Sequence, residues 1–571
     1  MRQSFHRFHR FVLLLLTTVL ALPLGPVAAD PPTGDPVLGT NLAFLRANSG
    51  EYPFVNAFKA STPWVSILAG VFGDGTLHEV DGEILSLDPQ QEAITFLFQD
   101  NPGRYPAGDY IVLYDGDGDL EYEGSGRRHD NRSIPGRDVV HVDPRQGELV
   151  IVLTRTNAAL PLNNIRVLMP GGVCSNDPYQ ACKGVGDPVC GTGTCDLFET
   201  NYATQIFHPT FLNNIRRFGV LRFMDWMETI EGGFVDFSQY TEENDPRWNP
   251  APMEIMAELG NRIGADIWVN VPHNANNAFI TQMATRLEGR LDPTRKVWVE
   301  FSNEVWNPNY PSFMDVTLAG CAANPGLVCE AGSDPNDGIL CDGHRAGAWF
   351  PNCEAARIRE TSERTVNAWH LFDVAFGSST RLVRVMSSQS GEGDLHDGLL
   401  QWQSAHQETD VLATAAYFGV PLGGNLAVPG WDLDTLFSAL DTEIQDTINL
   451  MKSDFYFLEA NYPAISVVHY EGGQHLQAFG PIEMDPALAN DLWEMNSLFE
   501  DANQDPRIGA LYDQLFNAWS QIESPLLCHF TNVHTRQSWS RFGALEYQDQ
   551  PHGDSVKYQA LMRELDNLGA P

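Results

Sequence analysis

The sequence predicts an α/β protein: a (β/α)8 TIM barrel with a β-sandwich domain inserted after the first barrel strand. Three observations carry this. From about residue 200 onward, short apolar strands alternate with amphipathic helical stretches, the pattern of parallel strands joined by helical crossovers. Seven such strands can be counted, at 218–224, 265–271, 296–301, 382–386, 411–417, 464–470 and 524–530, and an eighth is available upstream at 39–44. Eight strands close a barrel. Between residues 77 and 169 the pattern changes to short β-branched or aromatic segments (93–98, 110–114, 139–142, 149–153) broken by Gly, Pro and Asp turns, the spacing of a small sandwich.

Taken in order, residues 1–29 read as a secretory signal peptide. Arg2, Arg7 and Arg10 form the basic region, 11–24 the apolar run, and Val27-Ala28-Ala29 the cleavage site. Residues 36–76 are expected to hold the first barrel strand and its helix, and 77–169 the inserted domain. Within that domain, Asp115-Gly116-Asp117-Gly118-Asp119 resembles a calcium loop, but Gly126 stands where an EF-hand needs Glu, so a tight hairpin turn is expected. A Cys-rich loop follows at 170–200, with Cys174, Cys182, Cys190 and Cys195. The rest of the barrel spans 201–571, with helices at 252–263, 360–376, 433–455 and 487–503. A loop insertion at 308–358 carries Cys321, Cys329, Cys341 and Cys353.

Each group of four cysteines can close two bridges in an oxidising compartment, with three connectivities open. The spacings lack the paired C-x2-C signature of zinc, so no metal is expected. The ninth cysteine, Cys528, lies in an apolar stretch and reads as a buried, inert thiol.

The 571 residues carry 74 Asp+Glu against 35 Lys+Arg, a formal net charge of −39. Such a surface repels phosphate backbones, which excludes nucleic acid as a partner and disfavours polyanionic polysaccharides and anionic membranes. No internal stretch reaches the length of a membrane span. The chain therefore reads as secreted, extracellular or periplasmic, with no integral membrane span.

In a barrel of this class, chemistry sits at the C-terminal ends of the strands. Two of those ends carry a glutamate: Glu304, in Ser302-Asn303-Glu304-Val305-Trp306 after strand four, and Glu471, in His469-Tyr470-Glu471-Gly472-Gly473 after strand seven. Two carboxyl groups facing each other across a barrel mouth can hydrolyse a glycosidic bond, one protonated to serve the leaving oxygen, the other ionised to attack the anomeric carbon. Asn303 is placed to bond a sugar hydroxyl. His273 and Tyr417 are placed to bond the carboxylates. Trp226, Trp306, Tyr310, Trp402 and Trp539 are core residues or sugar platforms, and two or three are expected to line a cleft.

With Asn303-Glu304 ending strand four and Glu471 ending strand seven, the sequence resembles glycoside hydrolase clan A, which includes the cellulase- and mannanase-like retaining enzymes. The resemblance extends to Arg222 on strand two, His273-Asn274 on strand three, Tyr417 on strand six and the buried carboxylate Glu300. It implies Glu304 as acid/base and Glu471 as nucleophile, with Arg222, Trp226, His273, Asn303, Trp306, Tyr417 and Trp539 binding substrate and no cofactor. Val305 stands where many members have Pro, and Ala415 where many have His. The expected function is a secreted retaining glycosidase acting on a neutral polysaccharide or oligosaccharide. The alternatives are a non-catalytic carbohydrate-binding protein on a degenerate barrel, and a cell-surface adhesion protein.

Overall fold

The computed structural model of the chain describes residues 36–324, 354–377, 379–535 and 541–570. The expected signal segment, three cysteines of the second group (Cys329, Cys341, Cys353) and Trp539 lie outside the described residues.

Eight parallel strands close a barrel: Val37–Asn41, Val220–Arg222, Asp266–Val271, Val297–Phe301, Leu382–Ser387, Val411–Phe418, Ser466–Gln474 and Leu526–His529. The ring shuts where Gly39 pairs with both Val220 and Cys528. Alternation along each strand sorts its residues between two cores. Val220, Trp268, Trp298, Val383, Val385, Val411, Ala413, Val468, Tyr470, Leu526 and Cys528 fill the lumen. Their neighbours, such as Leu221, Ile267, Val299 and Leu527, pack outward against the helices.

The crossover helices carry readable caps. Asn276 accepts from Phe279 N to start Asn277–Arg290, and Asp432 accepts from Thr435 N to start Leu433–Asn461. Met253–Ile263 ends at Gly264, whose φ of 74° suits a residue without Cβ. Among the described residues, no helix is long and apolar enough to cross a membrane.

The inserted domain stacks two antiparallel sheets on one core, four-stranded and five-stranded. Its strands begin at Val65–Leu68, earlier than the expected 77. The helix expected within 36–76 is absent: only a single 3-10 turn, Ala57–Ala60, stands there. The helix that follows the first barrel strand is Pro209–Ile215, after the insertion, so the domain interrupts the first β/α unit rather than following it. The expected hairpin at 115–119 is instead a corner. Gly108–Asp115 pairs in the four-stranded sheet, whereas Gly118–Gly124 pairs in the five-stranded one.

The Cys-rich segment is also more ordered than its loop-like composition implies. Gly172–Cys174, Asp177–Cys182 and Cys195–Leu197 form a small three-stranded sheet, tied by Cys174–Cys190 and Cys182–Cys195 bridges. Cys321 is disulfide-bonded too. Cys528 is a free thiol buried in the barrel lumen, and burial pushes its pKa up.

Candidate active site

Strand four delivers its polar residues by simple parity. Val297, Val299 and Phe301 face the helices, while Trp298 and Glu300 point into the lumen. The chain then leaves the strand through Ser302 and Glu304, both in the left-handed region at φ 58° and 42°. Such conformations cost about 1–3 kcal/mol each in a non-glycine residue and persist only where the surroundings enforce them. Here they turn Glu304 over the barrel mouth.

Strand seven uses a different device. Val468 and Tyr470 are lumen residues, so ordinary alternation would send Glu471 out towards the helices. The pairing with strand six, however, slips between Thr414↔His469 and Ala415↔Glu471, leaving Tyr470 as an extra, unpaired residue. This bulge re-aims the chain so that both neighbours reach the mouth. Tyr470 Oη donates to Glu304 Oε1 at 2.9 Å, and Glu471 Oε1 accepts from Arg222 Nη1 at 2.6 Å.

Arg222 is the hub. Fully buried, it spends its donors on Glu300 Oε2 (from Nε at 3.1 Å and Nη2 at 2.9 Å), Asn41 Oδ1 (3.0 Å), Glu471 Oε1 and Asn303 Oδ1 (2.7 Å). Glu300 Oε2 also takes Trp268 Nε1 at 2.8 Å and Asn270 Nδ2 at 2.7 Å. A planar fork in a closed network of this kind fixes geometry, which a single ammonium cannot do. The second oxygen of Glu471 accepts from Tyr417 Oη at 2.8 Å. Both oxygens of Glu471 are thus occupied as acceptors, one of them by a guanidinium. Glu304 Oε2 accepts from Asn307 Nδ2 at 2.8 Å.

The two glutamates differ in surroundings. Burial, reinforced by the negative charge of Glu471, lifts Glu304 to about 7. Asp225, at the end of strand two, is pushed well above the carboxylate range by burial and by Glu471. Tyr310 is shifted upward by burial and then by the charges of Glu304, Glu471 and Asp225, so its hydroxyl stays a donor beside both glutamates. The mouth therefore combines one carboxyl that holds its proton up to neutrality with one held by a guanidinium and a phenol, which suits paired acid and nucleophile chemistry.

Of the residues expected at the site, Glu304, Glu471, Arg222, Asn303 and Tyr417 are brought together, and Glu300 lies beneath them. Three expectations need correction or fall elsewhere. Trp226 is no sugar platform: it is fully buried, packed against Phe54, Phe211 and Phe223 with ring centroids 5.6, 6.0 and 5.5 Å away. His273 bonds neither glutamate; its Nε2 meets Asp315 at 3.0 Å, on the helix after strand four. Trp306 is half-buried against the helical layer, in a small crevice with Arg357, Ile358 and Leu399. The sequence reading missed Tyr470, Asn41, Asn307 and Asp225. Only Tyr470 and Asp225 carried a signal, as neighbours of strand-end residues already singled out. At the end of strand eight, half-buried Phe530 lies 6.4 Å from the Tyr417 ring and 5.4 Å from that of Phe542.

No protein-family model matches the chain, and no curated protein does either. Solved structures do match. One is a GH51 arabinofuranosidase from Xanthomonas axonopodis pv. citri, 12% identical with a TM-score of 0.33, the match covering 56% of this chain and 59% of that one. Another is the catalytic core of xylanase A, 11% identical with a TM-score of 0.33, covering 62% and 92%. A third is XEG5A, a GH5 xyloglucan-specific endo-β-1,4-glucanase from a metagenomic library in complex with cellotriose, 11% identical with a TM-score of 0.32, covering 69% and 96%. The chain thus spans less than two thirds of the length of the arabinofuranosidase and most of the other two.

Proposed function

We propose that this protein is a secreted retaining glycoside hydrolase that cleaves β-glycosidic bonds of a neutral polysaccharide by double displacement. The observation that carries the reading is the asymmetry of the two mouth glutamates: Glu304 raised to about 7, Glu471 held on both oxygens by Arg222 and Tyr417. In the first step a Glu471 oxygen attacks the anomeric carbon while Glu304 gives its proton to the departing oxygen. In the second, Glu304, now ionised, takes a proton from water as that water displaces Glu471 from the sugar. Asn303, whose Oδ1 is held by Arg222, keeps its amide nitrogen for a sugar hydroxyl. The net charge of −39 supports a neutral rather than an anionic substrate, and the disulfides support export.

Aryl glycosides with activated leaving groups test the assignment. Glu304→Gln should lose cleavage of poor leaving groups and keep the first step for activated ones, which need no proton. Glu471→Ala should lose both. Azide should rescue Glu304→Ala with retained configuration and Glu471→Ala with inverted configuration. Wild-type protein that binds a polysaccharide from a broad panel but cleaves none would replace this reading with the carbohydrate-binding alternative.

A further inference from the structure

We propose that Asp109, His129 and His141, on the outer face of the four-stranded sheet of the inserted domain, form a binding site for a borderline divalent transition-metal cation of the zinc class. The three come together through sheet geometry. His141 sits between Val140 and Val142, which face the domain core, so its imidazole points outward. Asp109 is its direct cross-strand partner. On the other side, Arg127 pairs with His141, and His129, two residues further on, returns to the same face, its N–H bonded to Val139 O. Two paired strands and the residue just past a third, Gly126–Arg128, thus aim two imidazoles and a carboxylate at one point.

The distances suit an ion. Asp109 Oδ1 lies 3.0 Å from His141 Nδ1 and 3.6 Å from His129 Nε2, and the three donor atoms all fall within 4.8 Å of one another. Ligands about 2.0–2.2 Å from a tetrahedral zinc stand roughly 3.4 Å apart, so only small side-chain rotations separate this cluster from a coordination shell. Two imidazoles with one carboxylate favour zinc, copper or nickel over calcium or magnesium, which prefer all-oxygen shells. Arg132 Nη1 holds the other oxygen, Asp109 Oδ2, and so leaves Oδ1 to the imidazoles. The imidazoles of His129 and His141 are 39% and 54% exposed, so an ion and its remaining water ligands reach the cluster directly from solvent. The positive charges of Arg132 and Arg127 oppose the cation and set a moderate affinity. Neither disulfide of the Cys-rich segment leaves a thiolate to compete.

The test is calorimetric titration of Zn2+ alone into the full chain, previously stripped with chelator, followed by the visible spectrum of added Co2+ as a report on nitrogen ligation. One equivalent should bind with micromolar affinity, weakened at least tenfold in His129→Ala and in His141→Ala, and tightened in Arg132→Gln. His141 is solvent-exposed and His129 partly so, so the variants should keep the wild-type circular dichroism; His141→Gln serves if an alanine variant does not. The absence of stoichiometric uptake by the wild type, or uptake undiminished in the His129→Ala/His141→Ala double variant, would leave only a surface ion cluster and overturn the proposal.

Discussion

Glu304→Gln should stabilise the protein at alkaline pH and leave it nearly unchanged in acid. Burial and the Glu471 charge raise Glu304 from 4.5 to about 7 in the folded state. Between those values the native protein binds a proton that the unfolded chain has released, so stability falls as pH rises across the window and stays low above it. At 1.36 kcal/mol per unit, the full penalty is about 3 kcal/mol. A neutral glutamine mimics the protonated acid. Like that acid it places a donor on one of the two positions now facing Tyr470 Oη and Asn307 Nδ2, so the exchange carries little pH-independent cost. Titrating groups remote from Glu304 are shared by both proteins and cancel in the difference. Urea and thermal midpoints of wild type and variant should therefore coincide near pH 4 and diverge by pH 8, with the variant higher. A difference that does not change with pH would refute both the buried position of Glu304 and its elevated proton affinity.

Three further outcomes follow from the same network. Arg222→Lys replaces a five-donor fork with one ammonium and leaves Glu300 and Glu471 undercompensated in the lumen, so urea denaturation should show a loss of about 3–5 kcal/mol, the range for breaking buried pairs. Tyr417→Phe removes the donor to Glu471 Oε2; a hydrogen bond to a charged group contributes about 1.5–3 kcal/mol, so kcat/KM on activated aryl glycosides should drop roughly 10- to 100-fold with the fold intact by circular dichroism. Reducing agent should lower the thermal midpoint, because the bridges Cys174–Cys190 and Cys182–Cys195 close loops of 16 and 13 residues, each worth up to about 3 kcal/mol.

The barrel was legible because each of its strands is an apolar run bounded by turn residues; Arg222 and Glu300 were singled out through the family resemblance, and strand parity is what puts them in the lumen. The location of Glu304 and Glu471 at strand ends was legible on the same ground. How Glu471 turns inward was not. A bulge is a property of two paired strands, and nothing in His469-Tyr470-Glu471 announces that Tyr470 lacks a partner on strand six. Trp226 and His273 failed for a related reason. A strand-end residue has two directions open to it, towards the mouth or back over the helices, and local sequence does not choose. Trp226 is drawn into the aromatic cluster with Phe54, a residue 172 positions away that arrives with the inserted domain's approach. The Asp109, His129 and His141 cluster was invisible because its members sit 20 and 12 residues apart and meet only through cross-strand register.

The alanine at 415, where the family resemblance leads one to expect a histidine beside the proposed nucleophile, leaves no gap in this arrangement. Ala415 pairs directly with Glu471, and its small side chain leaves room for a carboxylate already held by Arg222 from strand two and Tyr417 from strand six. The bulge supplies a second link, since the residue it frees, Tyr470, bonds Glu304. The two glutamates are therefore joined through adjacent residues of one strand as well as through charge. That coupling gives the proposed cycle its direction. The charge of Glu471 helps keep the proton on Glu304. Once Glu471 is esterified to the sugar that charge is gone, the proton affinity of Glu304 falls, and the group that began as the acid is left as the base that the second step requires.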